Sequence, residues 1–368
     1  MDKLKIRFPK LLLVVVLSQL TSQCQNMQDK IPEFHTEICH PDNKFEITPV
    51  YDYIKTLEKT SAGLPYGSSS GEWGSSGSMW TEQHGTPIGF EFTYYSRYEN
   101  KYYHIDADFD VAHMKDMTDR CYPGNDEDSA TPLTKEYIYN KEREEILKNN
   151  SVDRSYDAFG DLVFGFAPQG MVVVWMRYGG LNCMELGRYQ GNEIIDEKKI
   201  VQYKKSYISK YRIDEVRYEQ AKVQLNIANA SCKKWDDYRT KYNWNYEVTS
   251  DNKNFKLFEF DIDYFNGEKE AMFRPLVQHP AKKKRAVPEI INIYFETSAK
   301  ERYIARAYFD WDKMNELLKN AGENATLQFH VNEHSYDVKV TLNNQIVKTD
   351  SVIRVYPDSH MRYRESYK

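Results

Sequence analysis

Histidine and aspartate side chains that could bind a cation or transfer a proton are concentrated in one stretch of this 368-residue chain. Four of them occupy every second position, so a strand would present all four on one face: His104, Asp106, Asp108 and Asp110. Carboxylate oxygens are the ligands that hard cations prefer. A solvated strand face explains the same alternation more simply. We therefore predict no metal site here, and keep His104 or His113 with Asp106 or Asp108 as the first candidates for a hydrolytic site.

The trio His35, Cys39 and His40 also consists of metal-binding residue types. It lies in a polar stretch with little hydrophobic periodicity, so we attribute its spacing to chance. The sequence contains no phosphate-binding P-loop motif, no dinucleotide-binding glycine fingerprint and no H-E-x-x-H motif. These observations predict a protein that is not an enzyme and that needs no cofactor.

The first 23 residues are typical of an export signal. Four basic residues in the first ten positions precede the apolar run LLLVVVL, which is shorter than the roughly 20 residues that span a bilayer. Cys24 follows closely and resembles the acylated cysteine of bacterial lipoproteins, although Gln23 stands where a small residue is usual. We predict a signal peptide at 1–23 and a lipid such as palmitate on Cys24, with an ordinary cleaved signal as the alternative.

A lipid on Cys24 would place the protein in the cell envelope, anchored to a membrane through that lipid. Gln25 follows the cysteine, so the sequence has no aspartate of the kind that retains lipoproteins at the inner membrane. The outer membrane is therefore favoured, and the sequence leaves open whether the body faces the periplasm or the cell surface.

Four cysteines remain besides Cys24: Cys39, Cys121, Cys183 and Cys232. In an oxidising compartment they could form two disulfides, with three possible connectivities, and buried free thiols are an equally compatible interpretation. None of them belongs to a C-x-x-C pair, which argues against a zinc or redox site.

The net charge of the chain is −5, and residues 1–23 carry +3, so the chain without them carries −8. An acidic chain is a poor nucleic-acid binder, because phosphates require a basic surface. The same charge argues more weakly against direct binding to an anionic lipid surface.

The pattern of apolar and polar residues predicts a β-rich α+β fold, with antiparallel sheets, a few short helices and two lobes. Residues 24–60 look like a polar stem, and residues 61–280 form a main lobe. A basic, proline-flanked break over 280–288 includes KKKR from Lys282, which we interpret as a solvated loop. Residues 288–368 form a smaller α+β lobe.

Several elements are specific expectations. The run MVVVWM from Met171 is the most apolar strand, and residues 183–189 read as its hairpin partner. Alternating aromatic and aliphatic residues predict a strand over 258–264, with acids on its solvent face. Asp310 is expected to cap a helix that ends at Gly322. Trp73 and Trp80 lie in a Gly/Ser-rich loop at 61–87 and could pack or bind there.

Three aromatic residues are spaced as one face of a helix: Trp235, Tyr238 and Tyr242. We expect the helix to pack this face on a sheet, Arg239 to pair with a nearby acid, and a strand to begin at Trp244.

The motifs WDDYRTKYNW from Trp235, FGFAPQGMVVVWM from Phe164 and GRYQG from Gly187 resemble an uncharacterised family of bacterial envelope lipoproteins, the domain-of-unknown-function family 2931. The resemblance extends over about residues 85–356. It implies no catalytic residues. The residues that carry it are interpreted as structural: Trp175, Trp235, Tyr238, Arg239, Tyr242 and Trp244.

The family resemblance and the absence of catalytic signatures favour an envelope lipoprotein that binds a partner protein. Some similar lipoproteins are encoded beside secreted toxins, which suggests an immunity protein that neutralises a toxin, by analogy. An acidic body would suit a basic partner. The alternative is a glycan-binding or polysaccharide-associated lipoprotein, with Trp73 and Trp80 as stacking platforms.

Overall fold

The computed structural model describes residues 31–65, 72–75, 80–115, 159–178, 182–273, 276–278, 280–298 and 301–357. The predicted signal peptide, Cys24 and Cys121 lie outside these residues. No helix in the described part of the chain is long and apolar enough to cross a membrane.

The strands of the described residues are β1 (Glu33–Cys39), β2 (Ile47–Thr56), β3 (Trp80–His84), β4 (Pro87–Ser96), β5 (Lys101–Asp108), β6 (Phe159–Ala167), β7 (Met171–Tyr178), β8 (Asn182–Gln190), β9 (Asn192–Glu193), β10 (Lys241–Ser250), β11 (Lys256–Tyr264), β12 (Lys269–Phe273), β13 (Lys283–Ala286), β14 (Pro288–Ser298), β15 (Glu301–Tyr308), β16 (Ala325–Val331), β17 (Val338–Leu342), β18 (Gln345–Ile346) and β19 (Asp350–Pro357). The helices named here are α1 (Glu197–Tyr211), α2 (Glu215–Gln224), α3 (Lys233–Tyr238) and α4 (Trp311–Ala321).

These strands form three sheets. The largest has ten strands in the order β19-β15-β14-β11-β12-β8-β7-β6-β1-β3, beside a sheet ordered β13-β10-β16-β17-β18 and another ordered β2-β4-β5-β9. Neighbouring strands are antiparallel except in the pairs β1–β6 and β10–β16. The predicted class, a β-rich α+β fold with antiparallel sheets and few helices, is confirmed.

The ten-stranded sheet contributes to two hydrophobic cores. Around β1, β6 and β7 it packs against the sheet β2-β4-β5-β9, where Phe92 meets Phe164 with 5.0 Å between ring centroids. Around β11, β14 and β15 it packs against β10, β16 and β17, where Phe260 meets Phe329 at 5.5 Å. Each core is thus a sheet-on-sheet layer of aromatic and branched side chains.

The expected polar stem over 24–60 is wrong for its described part. Residues 33–39 and 47–56 form β1 and β2, and Phe34, Ile38 and Ile54 are buried in the first core. The apolar residues alternate with polar ones at strand period, and β1 is covered on both sides by β3 and β6.

The expected break at 280–288 is also wrong. Its basic run forms β13, which pairs with β10. Arg285 is buried and donates to both carboxylate oxygens of Glu270, at 3.0 and 3.1 Å. Burying an arginine is tolerated here because a carboxylate neutralises it. The second core therefore begins near β10 and not after residue 288.

The hairpin over Met171–Gln190 and the helix capped by Asp310 are confirmed. β7 pairs with β8 in antiparallel register. The Asp310 carboxylate accepts the N–H of Lys313, α4 buries Met314 and Leu318, and Gly322 follows its last residue.

Helices α1 and α2 follow one another in the chain and touch through Tyr207 and Tyr218, and neither was predicted from the sequence. Asp196 and Asp214 cap them by accepting backbone N–H groups. Tyr207 and Tyr218 are buried against Tyr95 and Tyr102 on the outer face of the β2-β4-β5-β9 sheet. We call residues 196–225 the α1–α2 hairpin.

Candidate functional site

The motifs that resemble the lipoprotein family meet at helix α3. Arg188 of β8 donates from Nε and Nη2 to the two carboxylate oxygens of Asp236, at 3.1 and 3.2 Å. Arg239 donates from Nη2 to Glu185 Oε1 at 2.7 Å, the pairing with an acid that the sequence predicted. Paired donors and acceptors fix orientation as well as distance, so α3 is held rigidly against β8.

The turn between β6 and β7 joins the same assembly. Its Gln169 and Gly170 have φ of 61° and 78°, and a Cβ on Gly170 would lie 2.6 Å from the Gly191 carbonyl oxygen, so only glycine fits there. Gln169 Oε1 accepts the N–H of Cys232 at 3.4 Å, and Gln190 Nε2 donates to the Gln169 carbonyl at 2.6 Å. All three motifs thus support the first residues of α3.

A cavity of 680 Å³, which we call the α3 cleft, opens beside this helix. Its volume is within the range of about 300–1,000 Å³ that ligand pockets occupy. Residues from both cores line it, and its aromatic lining consists of Phe45, Trp73, Trp235, Tyr238, Tyr264 and Phe265.

The aromatic side of the α3 cleft is built on a buried tryptophan. Trp235 is 9% exposed and packs edge-on against Phe45 at 5.2 Å. Trp73 packs edge-on against Trp175 at 4.8 Å. The turn that carries Trp73 approaches closely because Gly74 has no side chain: a Cβ there would lie 2.3 Å from the Gly267 carbonyl oxygen.

Carboxylates outnumber lysines in the α3 cleft. Its charged lining consists of Asp42, Glu72, Asp263, Glu268 and Glu289 with Lys44, Lys234 and Lys269. Lys269 Nζ lies 3.4 Å from Glu72 and 3.5 Å from Asp263. Burial raises the pKa of Glu289, and the Asp263 and Glu72 carboxylates raise it further. The cleft is therefore an aromatic and net acidic site.

A family model matches residues 128–255, and its description is protein of unknown function, DUF2931. This segment is similar to that family. It contains all three motifs, although it is shorter than the span over which the sequence showed the resemblance. No curated protein and no solved structure matches the chain.

Within the family segment, the predicted helix of Trp235, Tyr238 and Tyr242 is shorter than expected. Helix α3 ends at Tyr238, and Tyr242 lies in β10, opposite Arg285 of β13. The strand begins early because its backbone pairs with β13 from Lys241 onward. Trp244 is fully buried and donates from Nε1 to the Ala286 carbonyl at 3.2 Å, and Trp175 donates likewise to Asn266.

The histidine and aspartate cluster lies on β5, away from the α3 cleft. Asp106 and Asp108 both accept from Lys55 Nζ, at 2.6 Å each, and His104 Nδ1 contacts the Thr93 hydroxyl at 3.1 Å. In the described part of the chain, no group of three or more His, Cys, Asp or Glu residues is arranged to hold a metal ion. The carboxylates thus serve as partners of a lysine.

The three cysteines within the described ranges are free thiols: Cys39, Cys183 and Cys232. Burial raises the pKa of the Cys183 thiol to about 12 and that of Cys39 higher still. Burial and the Asp236 carboxylate also raise the pKa of Cys232. All three therefore stay protonated at neutral pH, the opposite of a reactive cysteine.

Asp263 and Glu289 were not predicted as site residues from the sequence. Asp263 alternates with buried residues of β11, a pattern that predicts only a polar face. Glu289 lies on β14, far from Asp263 in the chain, and only the tertiary fold brings the two together. Trp73 did carry a signal, because a tryptophan in a Gly/Ser-rich loop is unusual.

Proposed function

We propose that this chain is a non-catalytic binding protein of the bacterial cell envelope. In this proposal a lipid on Cys24 anchors it, preferably in the outer membrane. A partner protein binds by inserting basic side chains into the α3 cleft.

The α3 cleft is the observation that carries this proposal. Its 680 Å³ suit one or two side chains or a short loop of a partner. Five carboxylates against three lysines favour a cationic group. Lys234 Nζ already lies 5.5 Å from the centroid of the Tyr238 ring, so the aromatic lining of the cleft accommodates a cation through a cation–π contact.

The rigidity of the α3 cleft supports a preformed recognition site. Asp236 and Arg239 tie α3 to β8, and Trp235 fixes its packing on the first core. A site that needs no rearrangement loses less entropy on binding. The buried thiols and the lysine-bound aspartates offer no activated nucleophile, which is consistent with binding rather than catalysis.

The test is crosslinking in the envelope, affinity purification of the anchored protein, and identification of partners by mass spectrometry. The double variant Asp263→Asn with Glu289→Gln should reduce the recovered partner about tenfold, since hydrogen-bonded charge pairs at interfaces contribute at least about 1.4 kcal/mol. Glu333→Gln with Asp337→Asn is the matched control, because these exposed acids lie away from the cleft. Equal recovery with both double variants would exclude the cleft as the binding site.

The finer form of the proposal is an immunity protein that neutralises a secreted toxin. Deleting the gene should then sensitise cells to toxin-secreting neighbours in a competition assay. The cleft double variant should fail to restore protection, whereas the control double variant should restore it. Unchanged survival of the deletion strain would refute the immunity role while leaving other protein partners open to the purification test.

Glycan binding is the second candidate, and Trp73 favours it. This residue comes from the Gly/Ser-rich loop and lines the α3 cleft, and its indole N–H has no acceptor among the described residues. This N–H is shielded from solvent in the free protein, so a sugar hydroxyl would accept its hydrogen bond only after a local opening of the cleft. A polysaccharide that raises the melting temperature of the wild-type protein but not of Trp73→Phe, which keeps the ring and removes the donor, would support this candidate. If no polysaccharide in a panel raises the melting temperature of the wild-type protein, this candidate is wrong.

A further inference from the structure

The α1–α2 hairpin differs in charge from the rest of the protein. Residues 196–225 contain eight Lys and Arg against five Asp and Glu, a net charge of +3. The chain from Cys24 onward carries −8, so its remainder carries −11. The negative net charge of the whole chain therefore includes a basic region at residues 196–225.

The outward face of the α1–α2 hairpin is both basic and apolar. Tyr207 and Tyr218 face the body, so residues about half a turn away on each helix face outward. On α1 these include the exposed Lys198 and Lys205. On α2 they include Val216, Gln220 and Val223, which line one surface hollow together with Glu215 and Glu219. Val216 and Val223 are 62% and 78% exposed.

Several basic groups of the α1–α2 hairpin are available for a partner. Lys204 is bound to Glu215 and Glu219, at 3.0 and 2.8 Å. By contrast, no carboxylate of the described residues forms an ion pair with Lys198, Lys199, Lys205, Arg212 or Arg217. Basic groups beside exposed aliphatic side chains are the combination that binds anionic lipid surfaces.

The position of the N-terminus favours a membrane as the binding partner of this surface. Because β1 begins at Glu33, only seven residues lie between Cys24 and Pro32, which gives a reach of at most about 30 Å. The Pro32 carbonyl accepts the N–H of Gly85, which lies against Thr56 at the end of β2. Lys210 of α1 pairs with Asp52 of the same strand, about 13 Å away along β2.

We propose that the α1–α2 hairpin docks on the anionic lipid surface of the membrane to which Cys24 anchors the protein. The lysines and arginines lie at the phospholipid head groups and Val216 and Val223 contact the interface. This inference rests on the anchor of the proposed function. The α3 cleft, on the other side of the first core's small sheet, is not part of the docking surface.

The test is lysine acetylation of the purified lipidated protein, read by mass spectrometry. It is reconstituted in vesicles of phosphatidylcholine with phosphatidylglycerol and, separately, of phosphatidylcholine alone. Lys198, Lys199 and Lys205 should react about tenfold more slowly on the anionic vesicles, whereas exposed Lys319, Lys339 and Lys348 serve as internal references. The protection should disappear at about 1 M salt, where the Debye length is about 3 Å.

A matched pair of variants separates the α1–α2 hairpin from general surface effects. Val216→Glu with Val223→Glu should remove the protection of the three hairpin lysines. Val352→Glu with Val355→Glu, at exposed positions of β19, should leave it intact. Equal acetylation of the wild-type protein on both kinds of vesicle would overturn the proposal and assign this surface to an acidic protein.

The intact mass of the purified protein tests the anchor separately. If Cys24 carries no lipid, the anchor is refuted, and the same protein is tested for co-sedimentation with the same two kinds of vesicle. Binding to the phosphatidylglycerol vesicles alone would still support docking by the hairpin. Absence of binding would refute it.

Discussion

Helix α3 and the α1–α2 hairpin lie in the same family segment but are attached to the body in different ways. α3 buries Trp235 in the first core and is fixed by Arg188–Asp236 and Arg239–Glu185 pairs. The hairpin rests on tyrosines over the outside of the small sheet and leaves aliphatic side chains in solvent. α3 is therefore part of the core, and the hairpin is an addition to its surface.

The contrast between α3 and the α1–α2 hairpin separates apolar residues that stabilise the fold from apolar residues that are free to contact something else. Trp235 is needed to form the α3 cleft, because it lines the cleft and packs against Phe45 and Trp73. Val216 and Val223 contribute almost nothing to folding, since they remain exposed. An aliphatic side chain that does not stabilise the fold is a better indication of a contact with something else.

The largest expected effect is that of Trp235→Ala. Removing this buried ring should lower the free energy of unfolding by about 3–5 kcal/mol, because a large cavity remains between Phe45 and Trp73. Val223→Ala in the hairpin should change it by less than about 0.5 kcal/mol. Urea unfolding measures both. Similar losses for the two variants would mean that the hairpin is as much a part of the core as α3.

Local patterns sufficed to predict elements that are stabilised by their own sequence. MVVVWM predicts β7, and the Asp310 cap with Gly322 predicts α4, because each signal lies within a few residues. The aromatic face of WDDYR correctly placed Trp235 against the body. The same periodicity failed at Tyr242, where pairing with β13 outweighed the preference for helix.

The errors arise where a partner distant in the chain changes the meaning of a polar residue. Lys282–Arg285 looks like a solvated charge run until Glu270 is placed beside Arg285. Residues 33–56 look like a stem because strands β3 and β6 that cover them come later in the chain. The hairpin was missed although Ile200, Tyr203, Tyr207 and Tyr211 of α1 recur at helical spacing and pack in one cluster.

The candidate site could be predicted only in part. The sequence identified Trp73 and the α3 motif as unusual, but the cleft between them depends on Gly74 approaching Gly267 and on β11 meeting β14. Long-range backbone contacts of this kind leave no local pattern. Asp263 and Glu289 therefore come together only in the folded protein.

A smaller effect should follow when the ion pairs of the two regions are broken. Arg239→Met leaves the Glu185 carboxylate, 9% exposed, without its arginine and should cost about 1.5–3 kcal/mol. Lys204→Met in the hairpin should cost at most about 1 kcal/mol, because Glu215 and Glu219 are well exposed. Thermal unfolding of both variants at low salt measures the contrast. A larger loss of stability for Lys204→Met than for Arg239→Met would show that ion pairs stabilise the hairpin more than they stabilise α3.

The smallest expected effect is a dependence on pH at the α3 cleft. Burial, with Asp263 and Glu72, raises the pKa of Glu289 in the folded protein, so folding is favoured below the ordinary glutamate pKa. This advantage is lost as the pH rises through the raised value. Glu289→Gln stays neutral, so its melting temperature should exceed that of the wild type by about 1–3 °C at pH 7 and match it near pH 4.

Glu219→Gln is the control for this pH dependence. Hydrogen bonding to Lys204 lowers the pKa of Glu219, so the pH dependence of stability due to Glu219 has the opposite sign to that due to Glu289. The Glu219 carboxylate stabilises the fold above the ordinary glutamate pKa, and this stabilisation is lost as the pH falls. Because this carboxylate is exposed, the variant should differ little from the wild type at either pH. A melting temperature that rises at pH 7 only for Glu289→Gln would establish the α3 cleft as the place where negative charge destabilises the free protein. A cationic partner would stabilise such a site, because it would neutralise the negative charge that destabilises the free protein.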